Sequence, residues 1–342
     1  MALIRTIRRG YRPEAREVSE LVGQLAASGL VDMRSSVEPG PGDLRGEERE
    51  RYYKHLLFYG QFHDEAYRIP TGTACHYNKG SWLVRILPYI EGDAIYKDIP
   101  DIEYYNLQDD LDPKNNSIYM AVQQGKLPRP LSVLRCPSED WNKPSPPDTS
   151  NYAGSMGPQC LANRCGDWPT DSGPFGQYCD PRGTGLGDWG YAKSAIIGSS
   201  HWPDRIRGCF NRMGARIRLG DILDGTSNTI MIGETLIRQN EIQQYPWGDG
   251  WEAGWASADG GNAHCSTIIP INWDSSRQDG CFNGGVNWNG NWSVAWGFRS
   301  RHVQGANFVF ADGSITFLRQ DIDMRTYQVL GCRNDLQQPG EY

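Results

Sequence analysis

The segment at residues 297–330, GFRSRHVQGANFVFADGSITFLRQDIDMRTYQVL, constrains the fold of this chain more than any other segment. Apolar residues alternate over residues 307–310 and again over residues 315–318, which predicts two β-strands. The turn Ala311-Asp312-Gly313-Ser314 between them predicts a tight β-hairpin. Residues 321–330 predict a short helix after the hairpin. The C-terminal part of the chain is therefore expected to combine antiparallel strands with a helix.

A fixed polar spacing, H-x9-DG, lies on this hairpin. Asp312 and Gly313 suit the positive φ values of a two-residue hairpin turn. We predict that His302 forms a hydrogen bond near that turn and fixes it. Metal ligation and catalysis by His302 are the alternatives.

A second turn signature, D-G-T-S-N, occupies residues 224–228 and precedes an apolar strand at residues 229–232. Asp224, Gly225 and Asn228 are residue types that form and cap turns. Ser227 as a nucleophile would need a positioned base, and the sequence supplies none. We therefore predict a structural role for the six residues of the two signatures, which are His302, Asp312, Gly313, Asp224, Gly225 and Asn228.

Five phrases in a fixed order carry a resemblance to a known family. They are SWLVRILPYIE (81–91), LRCPSED (134–140), SNYAGSMG (150–157), RIRLGDILDGTSNTIMIGE (216–234) and the H-x9-DG segment. Together they resemble a planctomycete family of secreted proteins that are similar to type IV pilins and type II secretion pseudopilins and have no established biochemical function. The resemblance covers residues 53–330. It implies an α+β fold, a pilin-like head in which an N-terminal helix packs on an antiparallel β-sheet, and an extracellular or cell-surface location.

The N-terminus departs from the pattern of that family. Its members typically begin with a short basic leader and a long apolar helix, whereas residues 1–21 contain no apolar run longer than residues 1–4. No export signal and no membrane span are visible in the sequence. The usual apolar pilin helix is therefore expected to be absent from this chain.

We predict an N-terminal arm at residues 1–45 and one globular domain at residues 46–342. The arm combines a short amphipathic helix with a Pro/Gly-rich linker. Its apolar stripe either packs on the same body or contacts a neighbouring subunit through Val18, Leu21, Val22 and Leu25. Within the domain, the many Gly, Pro and Asp residues of 154–214 predict a loop-rich surface insertion braced by disulfides.

Nine cysteines are scattered along the chain without any C-x2-C pair. This pattern favours disulfides formed in an oxidising compartment over a zinc ribbon or a redox motif. The odd number leaves at least one thiol unpaired within the chain. Cys265 with Cys281 is the first candidate for a disulfide.

Six of the 12 tryptophans recur at intervals of four residues. An even spacing places side chains on one face of a strand, and the intervening Gly and Asn disfavour a helix. Core packing, a subunit interface and a sugar-stacking surface are the alternatives. The residues concerned are Trp247, Trp251, Trp255, Trp288, Trp292 and Trp296.

Composition and motifs narrow the function classes. The formal net charge of -7 and the lack of a basic stripe disfavour nucleic acid as a partner. The sequence contains no H-E-x-x-H, G-x-S-x-G, P-loop or EF-hand pattern, so we predict no enzyme activity and no cofactor, with calcium as an open alternative. The expected function is a self-assembling structural subunit of an extracellular fibre or surface array. A module that binds polysaccharide or another extracellular ligand through the tryptophans is the alternative.

Overall fold

The computed structural model describes residues 80–102, 114, 117–127, 129–139, 149–161, 174–175, 178, 207–210, 217–236, 251–256, 263–275 and 291–342. In these residues five short α-helices and several 3-10 turns accompany a five-stranded sheet, which confirms the α+β class. The arm with its four apolar contact residues lies outside the described residues, as do Trp247, Trp288 and Cys281. Predictions on those residues stay predictions.

The sheet has the strand order β3-β1-β2-β4-β5. Its strands are β1 (Tyr152–Ser155), β2 (Ile230–Glu234), β3 (His264–Cys265), β4 (Gly305–Phe310) and β5 (Ile315–Arg319). All neighbours pair antiparallel except β1 and β3, which run parallel. The prediction of a purely antiparallel sheet was therefore wrong. A parallel pair needs a long crossover connection, and the residues between β1 and β3 provide one.

Three helices cover one face of the sheet: α1 (Trp82–Ile86), α2 (Asp93–Asp98) and α3 (Ser117–Gln123). The Ser81 hydroxyl accepts a hydrogen bond from the Leu83 N–H and so caps α1. Pro88 lies in the 3-10 turn that follows α1, and proline does not continue a helix because it lacks the backbone N–H. Leu83, Val84 and Ile118 are completely buried in the hydrophobic cluster on this face.

The helix α5 (Met324–Gly331) covers the other face, and α4 (Trp292–Ala295) precedes the last hairpin. Asp323 caps α5 by accepting a hydrogen bond from the Thr326 N–H. Tyr327 packs edge-on against Phe308 with ring centroids 6.0 Å apart, and Phe308 packs edge-on against Phe298 at 5.1 Å. The sheet is thus covered on both faces, whereas we expected helices on one face only.

The predicted C-terminal hairpin is confirmed, but its turn differs from the prediction. Gly313 has φ 85°, and Asp312 is not among the residues with positive φ. The Gly313 N–H donates to the Phe310 carbonyl at 2.9 Å, and the Phe310 N–H donates to the Ser314 carbonyl at 2.9 Å. This is a three-residue loop that ends in a left-handed glycine, rather than a two-residue turn.

The prediction of a surface insertion at 154–214 stays a prediction, but several described residues of this segment lie in the core. Residues 154–155 belong to β1, residues 156–161 are buried, and so are residues 208–210. Gly208 donates its N–H to the Met156 carbonyl at 2.9 Å, and a β-carbon on Gly208 would lie 2.2 Å from the Gly157 nitrogen. Residues 156–157 and residue 208 therefore pack together inside the core, since glycine alone permits this backbone approach.

The cysteines of the described residues form no disulfide with one another. Cys136, Cys209, Cys265 and Cys332 are buried free thiols, and Cys160 is bonded to a cysteine outside the described residues. The predicted pair of Cys265 with Cys281 was therefore wrong. Cys265 lies in β3, and its thiol donates to the Gly297 carbonyl at 3.4 Å. Its side chain serves as a small buried core group.

No helix in the described part of the chain is long and apolar enough to span a membrane.

Candidate functional site

Three chemically different side chains converge at one end of the sheet. Cys136 Sγ lies 3.6 Å from Glu234 Oε1 and 3.8 Å from His302 Nε2. His302 Nε2 lies 3.1 Å from Glu234 Oε1. We call these three residues the Cys-Glu-His cluster. Among the described residues, these three offer ligand atoms that lie close enough together to hold one metal ion.

Glu234 occupies the centre of the cluster because it is the last residue of β2. Its side chain is only 6% exposed. Oε2 accepts a hydrogen bond from the Asn307 N–H of the neighbouring strand β4 at 2.7 Å and contacts Asn307 Nδ2 at 3.4 Å. The carboxylate is therefore held by sheet backbone through one oxygen, while its other oxygen faces Cys136 and His302.

Cys136 is positioned by the residue Asn151, which precedes β1. Asn151 Oδ1 accepts a hydrogen bond from the Cys136 N–H at 3.0 Å. Asn151 Nδ2 donates to Glu139 Oε2 at 2.8 Å and to the Thr235 carbonyl at 3.1 Å. One amide side chain thus ties the Cys136 loop to the residue after Glu234, which fixes both members of the cluster relative to each other.

His302 approaches the cluster from the loop between α4 and β4. Its N–H donates to the Ser300 hydroxyl at 3.1 Å, and its side chain is 33% exposed. The ring contacts Glu234, which lies at the opposite end of β4 from the Asp312-Gly313 turn. The prediction that His302 fixes this turn was therefore wrong, since β4 separates the two halves of the H-x9-DG motif.

A small pocket adjoins the cluster. It is lined by Cys136, Glu139, Asn151, Glu234, Thr235, Leu236, Arg299, Ser300 and Arg301. Burial raises the pKa of the Cys136 thiol above its ordinary value, and the neighbouring Glu234 carboxylate raises it further. The thiol is therefore not activated as a nucleophile by its surroundings.

The charge of Arg299 is directed away from this pocket. Its guanidinium donates to the carbonyls of Trp273 at 2.6 Å, Ala295 at 2.7 Å and Gly297 at 2.9 Å, and it also donates to the Val294 carbonyl. Burial lowers the pKa of Arg299 to about 10. Its hydrogen bonds thus hold the C-terminal end of α4, and none of them reaches the Glu234 carboxylate.

The geometry of the cluster differs from that of a cysteine-protease triad. In a triad, one imidazole nitrogen faces the nucleophile and the other is oriented by the acid. Here the same atom, His302 Nε2, faces both Cys136 Sγ and Glu234 Oε1. The three ligand-type atoms therefore point to one common position, which is the arrangement of a binding centre rather than a proton relay.

The residues of the D-G-T-S-N signature hold the C-terminal segment. Asp224 accepts hydrogen bonds from the N–H groups of Asp335 at 2.8 Å and Leu336 at 2.6 Å. Gly225 has φ 94°, and Asn228 Nδ2 donates to the Asp224 carbonyl at 3.2 Å. The turn thus has the expected local hydrogen bonds. In addition, its Asp224 anchors the C-terminal segment through residues far away in the sequence.

The two turn signatures contact each other. The Asp312 N–H donates to the Thr226 carbonyl at 3.1 Å, and the Ala311 N–H donates to the Thr229 carbonyl at 2.9 Å. The Asp312 side chain accepts from the N–H of Ser314 at 2.9 Å and from its hydroxyl at 2.7 Å. Asp312 therefore stabilises its own turn while its backbone docks on the other one.

Two of the six predicted tryptophans are core residues. Trp255 and Trp296 are completely buried, and Trp255 Nε1 donates to the Arg129 carbonyl at 2.8 Å. Neither ring is available to a glycan or a neighbouring subunit. The backbone at Trp251–Ala256 and Trp292–Ala295 is helical, so the prediction of strand faces was wrong there. Gly254, with φ 57°, marks a kink in the first of these segments, which glycine tolerates.

Sequence reasoning singled out His302 but missed both of its partners in the cluster. Glu234 closes the phrase RIRLGDILDGTSNTIMIGE, where a carboxylate directly follows a buried apolar strand. Cys136 lies in LRCPSED and was counted among the disulfide cysteines. A signal was present, because a charged residue at the end of a buried strand needs a partner. Besides the H-x9-DG segment, the Cys-Glu-His cluster and its supporting Asn151 draw residues from three phrases, which are LRCPSED, SNYAGSMG and RIRLGDILDGTSNTIMIGE.

Comparison with known proteins identifies the family. A family model described as protein of unknown function (DUF1559) matches residues 59–325. No curated protein and no solved structure shows a significant match to the chain. The matched range is well over half of the 342 residues and includes Cys136, Glu234 and His302. The chain belongs to the DUF1559 family.

Proposed function

We propose that this protein is a structural subunit of an extracellular fibre or surface assembly and not an enzyme. The pilin-like, secreted character that the sequence resemblance implies is part of this proposal. The observation that carries it is the outer edge of β5, which no other described strand covers. Exposed strand edges are templates for pairing with another chain.

The hydrogen-bond pattern defines which groups lie on that edge. Ladder bonds alternate along an antiparallel pair, and here the Phe310 N–H donates to the Ser314 carbonyl while the Gln320 N–H donates to the Gln304 carbonyl. The even-numbered residues of β5 therefore bond to β4. Ile315, Phe317 and Arg319 direct their N–H and C=O groups outward, where a strand from a second subunit can pair with them.

Apolar side chains accompany this edge. Phe317 is 44% exposed and Val303 is 83% exposed. The Phe317 ring lies over Gly305, where a β-carbon would come within 2.6 Å of it. Gly305 is two residues from Val303, so the edge and an apolar patch lie at the same end of the hairpin. A second copy of the chain would bury both together.

The signature residues support a structural role in a different way. Asp224, Asp312, Asn151 and Glu234 all accept hydrogen bonds from backbone or side-chain donors of this same chain. In the described residues these polar groups hold loops and strands together. Such use of these polar groups fits a rigid building block.

A matched pair of variants tests the proposal. Phe317→Lys places a charge on the β5 edge, which disfavours edge pairing, whereas Leu223→Lys makes the same exchange at an apolar residue that is 62% exposed in the turn before β2. We expect native protein to form regular polymers in negative-stain microscopy. Phe317→Lys should shift it to monomers in light scattering, while Leu223→Lys should polymerise normally.

The opposite results are informative. Polymers that form equally well from both variants would show that the β5 edge is not the contact. Native protein that stays monomeric at all concentrations and instead binds polysaccharide would overturn the structural function itself. Turnover of a substrate that is lost on His302→Ala would overturn the non-enzymatic assignment.

A further inference from the structure

The three atoms of the Cys-Glu-His cluster lie at the separations expected for ligands of one metal ion. Tetrahedral zinc with bonds of about 2.0 to 2.3 Å places its ligand atoms about 3.3 to 3.6 Å apart. The observed separations are 3.1 Å for nitrogen and oxygen, 3.6 Å for sulfur and oxygen, and 3.8 Å for sulfur and nitrogen. Shifts of a few tenths of an ångström would complete the tetrahedral face.

The donor types select the metal. A thiolate sulfur and an imidazole nitrogen are ligands of borderline-soft transition ions, whereas calcium and magnesium take oxygen ligands. Cysteine, histidine and one carboxylate together match the ligand set of zinc. We propose that Cys136, Glu234 and His302 bind one Zn²⁺ ion and leave its fourth coordination position to a ligand from solvent.

Charge balance favours this assignment. Glu234 is buried, and the nearby Arg299 guanidinium is bonded to backbone carbonyls instead. A thiolate and a carboxylate together carry two negative charges, which a Zn²⁺ ion neutralises. The contacts with Asn307 and His302 offset part of the cost of burying the Glu234 carboxylate, and a metal ion would offset more of it. Bound zinc would therefore lower the free energy of burying these negatively charged ligands.

The surroundings hold the ligands in place before the metal arrives. Glu234 is oriented by the Asn307 N–H at 2.7 Å, and Cys136 by Asn151 Oδ1 at 3.0 Å. Groups of this kind orient metal ligands and raise affinity. His302 is the most exposed of the three at 33%, so its side provides the entry path for the ion. Bound zinc would then link the end of β2 to the Cys136 loop and to the loop before β4.

Metal content and a spectroscopic signature test the site in the full-length protein. We expect purified protein to bind one Zn²⁺ per chain in elemental analysis and in competition with a chromophoric chelator. Replacement by Co²⁺ should produce a thiolate-to-cobalt charge-transfer band in the near ultraviolet, because Cys136 is a ligand. His302→Ala, a change at a partly exposed residue, should weaken zinc binding about a hundredfold or more.

Cys209→Ala is the matched control for Cys136→Ala, since Cys209 is also a buried free thiol. The control should keep the stoichiometry and the charge-transfer band, and Cys136→Ala should lose the band. Wild-type protein without stoichiometric zinc would overturn the proposal. So would a His302→Ala or Cys136→Ala variant that binds zinc as tightly as wild type. None of these outcomes depends on whether the protein forms polymers, so the metal site and the proposed function fail separately.

Discussion

Removing the Asp224 carboxylate should release the C-terminal segment from the body. The Asp224 side chain accepts hydrogen bonds from the N–H groups of Asp335 at 2.8 Å and Leu336 at 2.6 Å. Asp224 is buried, at 8% exposure, and its own N–H contacts the Arg333 carbonyl at 3.2 Å. Asp224→Ala leaves that backbone contact in place and deletes the two side-chain bonds, and it also removes the repulsion between the Asp224 and Asp335 carboxylates.

The structure sets the size of the effect. A hydrogen bond to a charged group contributes about 1.5 to 3 kcal/mol, so two such bonds contribute about 3 to 6 kcal/mol. Leu336 is 73% exposed, so water replaces part of what its N–H loses. We therefore expect Asp224→Ala to cost about 2 to 3 kcal/mol. Asp224→Asn keeps one acceptor oxygen and should cost about half as much.

Urea denaturation and amide hydrogen exchange measure this loss. The thermal midpoint of Asp224→Ala should fall by about 3 to 4 °C, and the amides of residues 335 and 336 should exchange faster than they do in wild type. Asp321→Asn is the control, because Asp321 forms only an exposed ion pair with Arg319 and should leave the midpoint unchanged. If Asp224→Ala melts like wild type and its two amides exchange at the wild-type rate, the anchoring contact does not stabilise the protein.

Three further predictions follow from the structure. Burial and the Asp224 carboxylate raise the pKa of Asp335 to about 6. Ionisation of Asp335 therefore lowers the stability of the protein above that pH and has no effect below the unfolded pKa near 4. Asp335→Asn should raise the free energy of unfolding by on the order of 1 kcal/mol at pH 8 and leave it unchanged at pH 4, as measured by denaturation at the two pH values. Thiol titration in denaturant without reductant should count at least the four free cysteines, and a count near zero would contradict their assignment. Assembly is expected to need the arm as well as the β5 edge, so deletion of residues 1–45 should leave a folded but monomeric body in light scattering, and polymers from the truncated chain would show that the arm makes no necessary subunit contact.

Local patterns predicted those parts of the fold that depend on neighbouring residues. Alternation and an Asp-Gly turn identified the hairpin of β4 and β5. The parallel pairing of β3 with β1 joins Gly154 to His264. A strand of two residues has no periodicity, and its partner is set by tertiary packing, so no sequence pattern could show this pairing.

The candidate site was only partly predictable for a related reason. His302 was recognised because of its spacing to Asp312, but both residues were assigned to one turn. Cys136 was grouped with the other cysteines because sequence cannot distinguish a buried thiol beside a carboxylate from one in a disulfide. Four-residue spacing of tryptophans was likewise ambiguous, since residues four apart share a face of a helix as well as a face of a strand.

The spacing of the two signatures has a common origin in the strands that separate their ends. β4 lies between His302 and Asp312, and the antiparallel strand β2 lies between Asp224 and Glu234. At one end of this pair, Glu234 contacts His302 and Asn307; at the other, the Asp312 N–H bonds to the Thr226 carbonyl. The nine-residue spacing of H-x9-DG therefore spans β4, and a contact with another part of the chain lies at each end of this strand. An added or deleted residue within β4 would turn its later side chains to the opposite face of the sheet, so the hairpin could keep the contact with the Asp224 turn or the contact with Glu234, but not both.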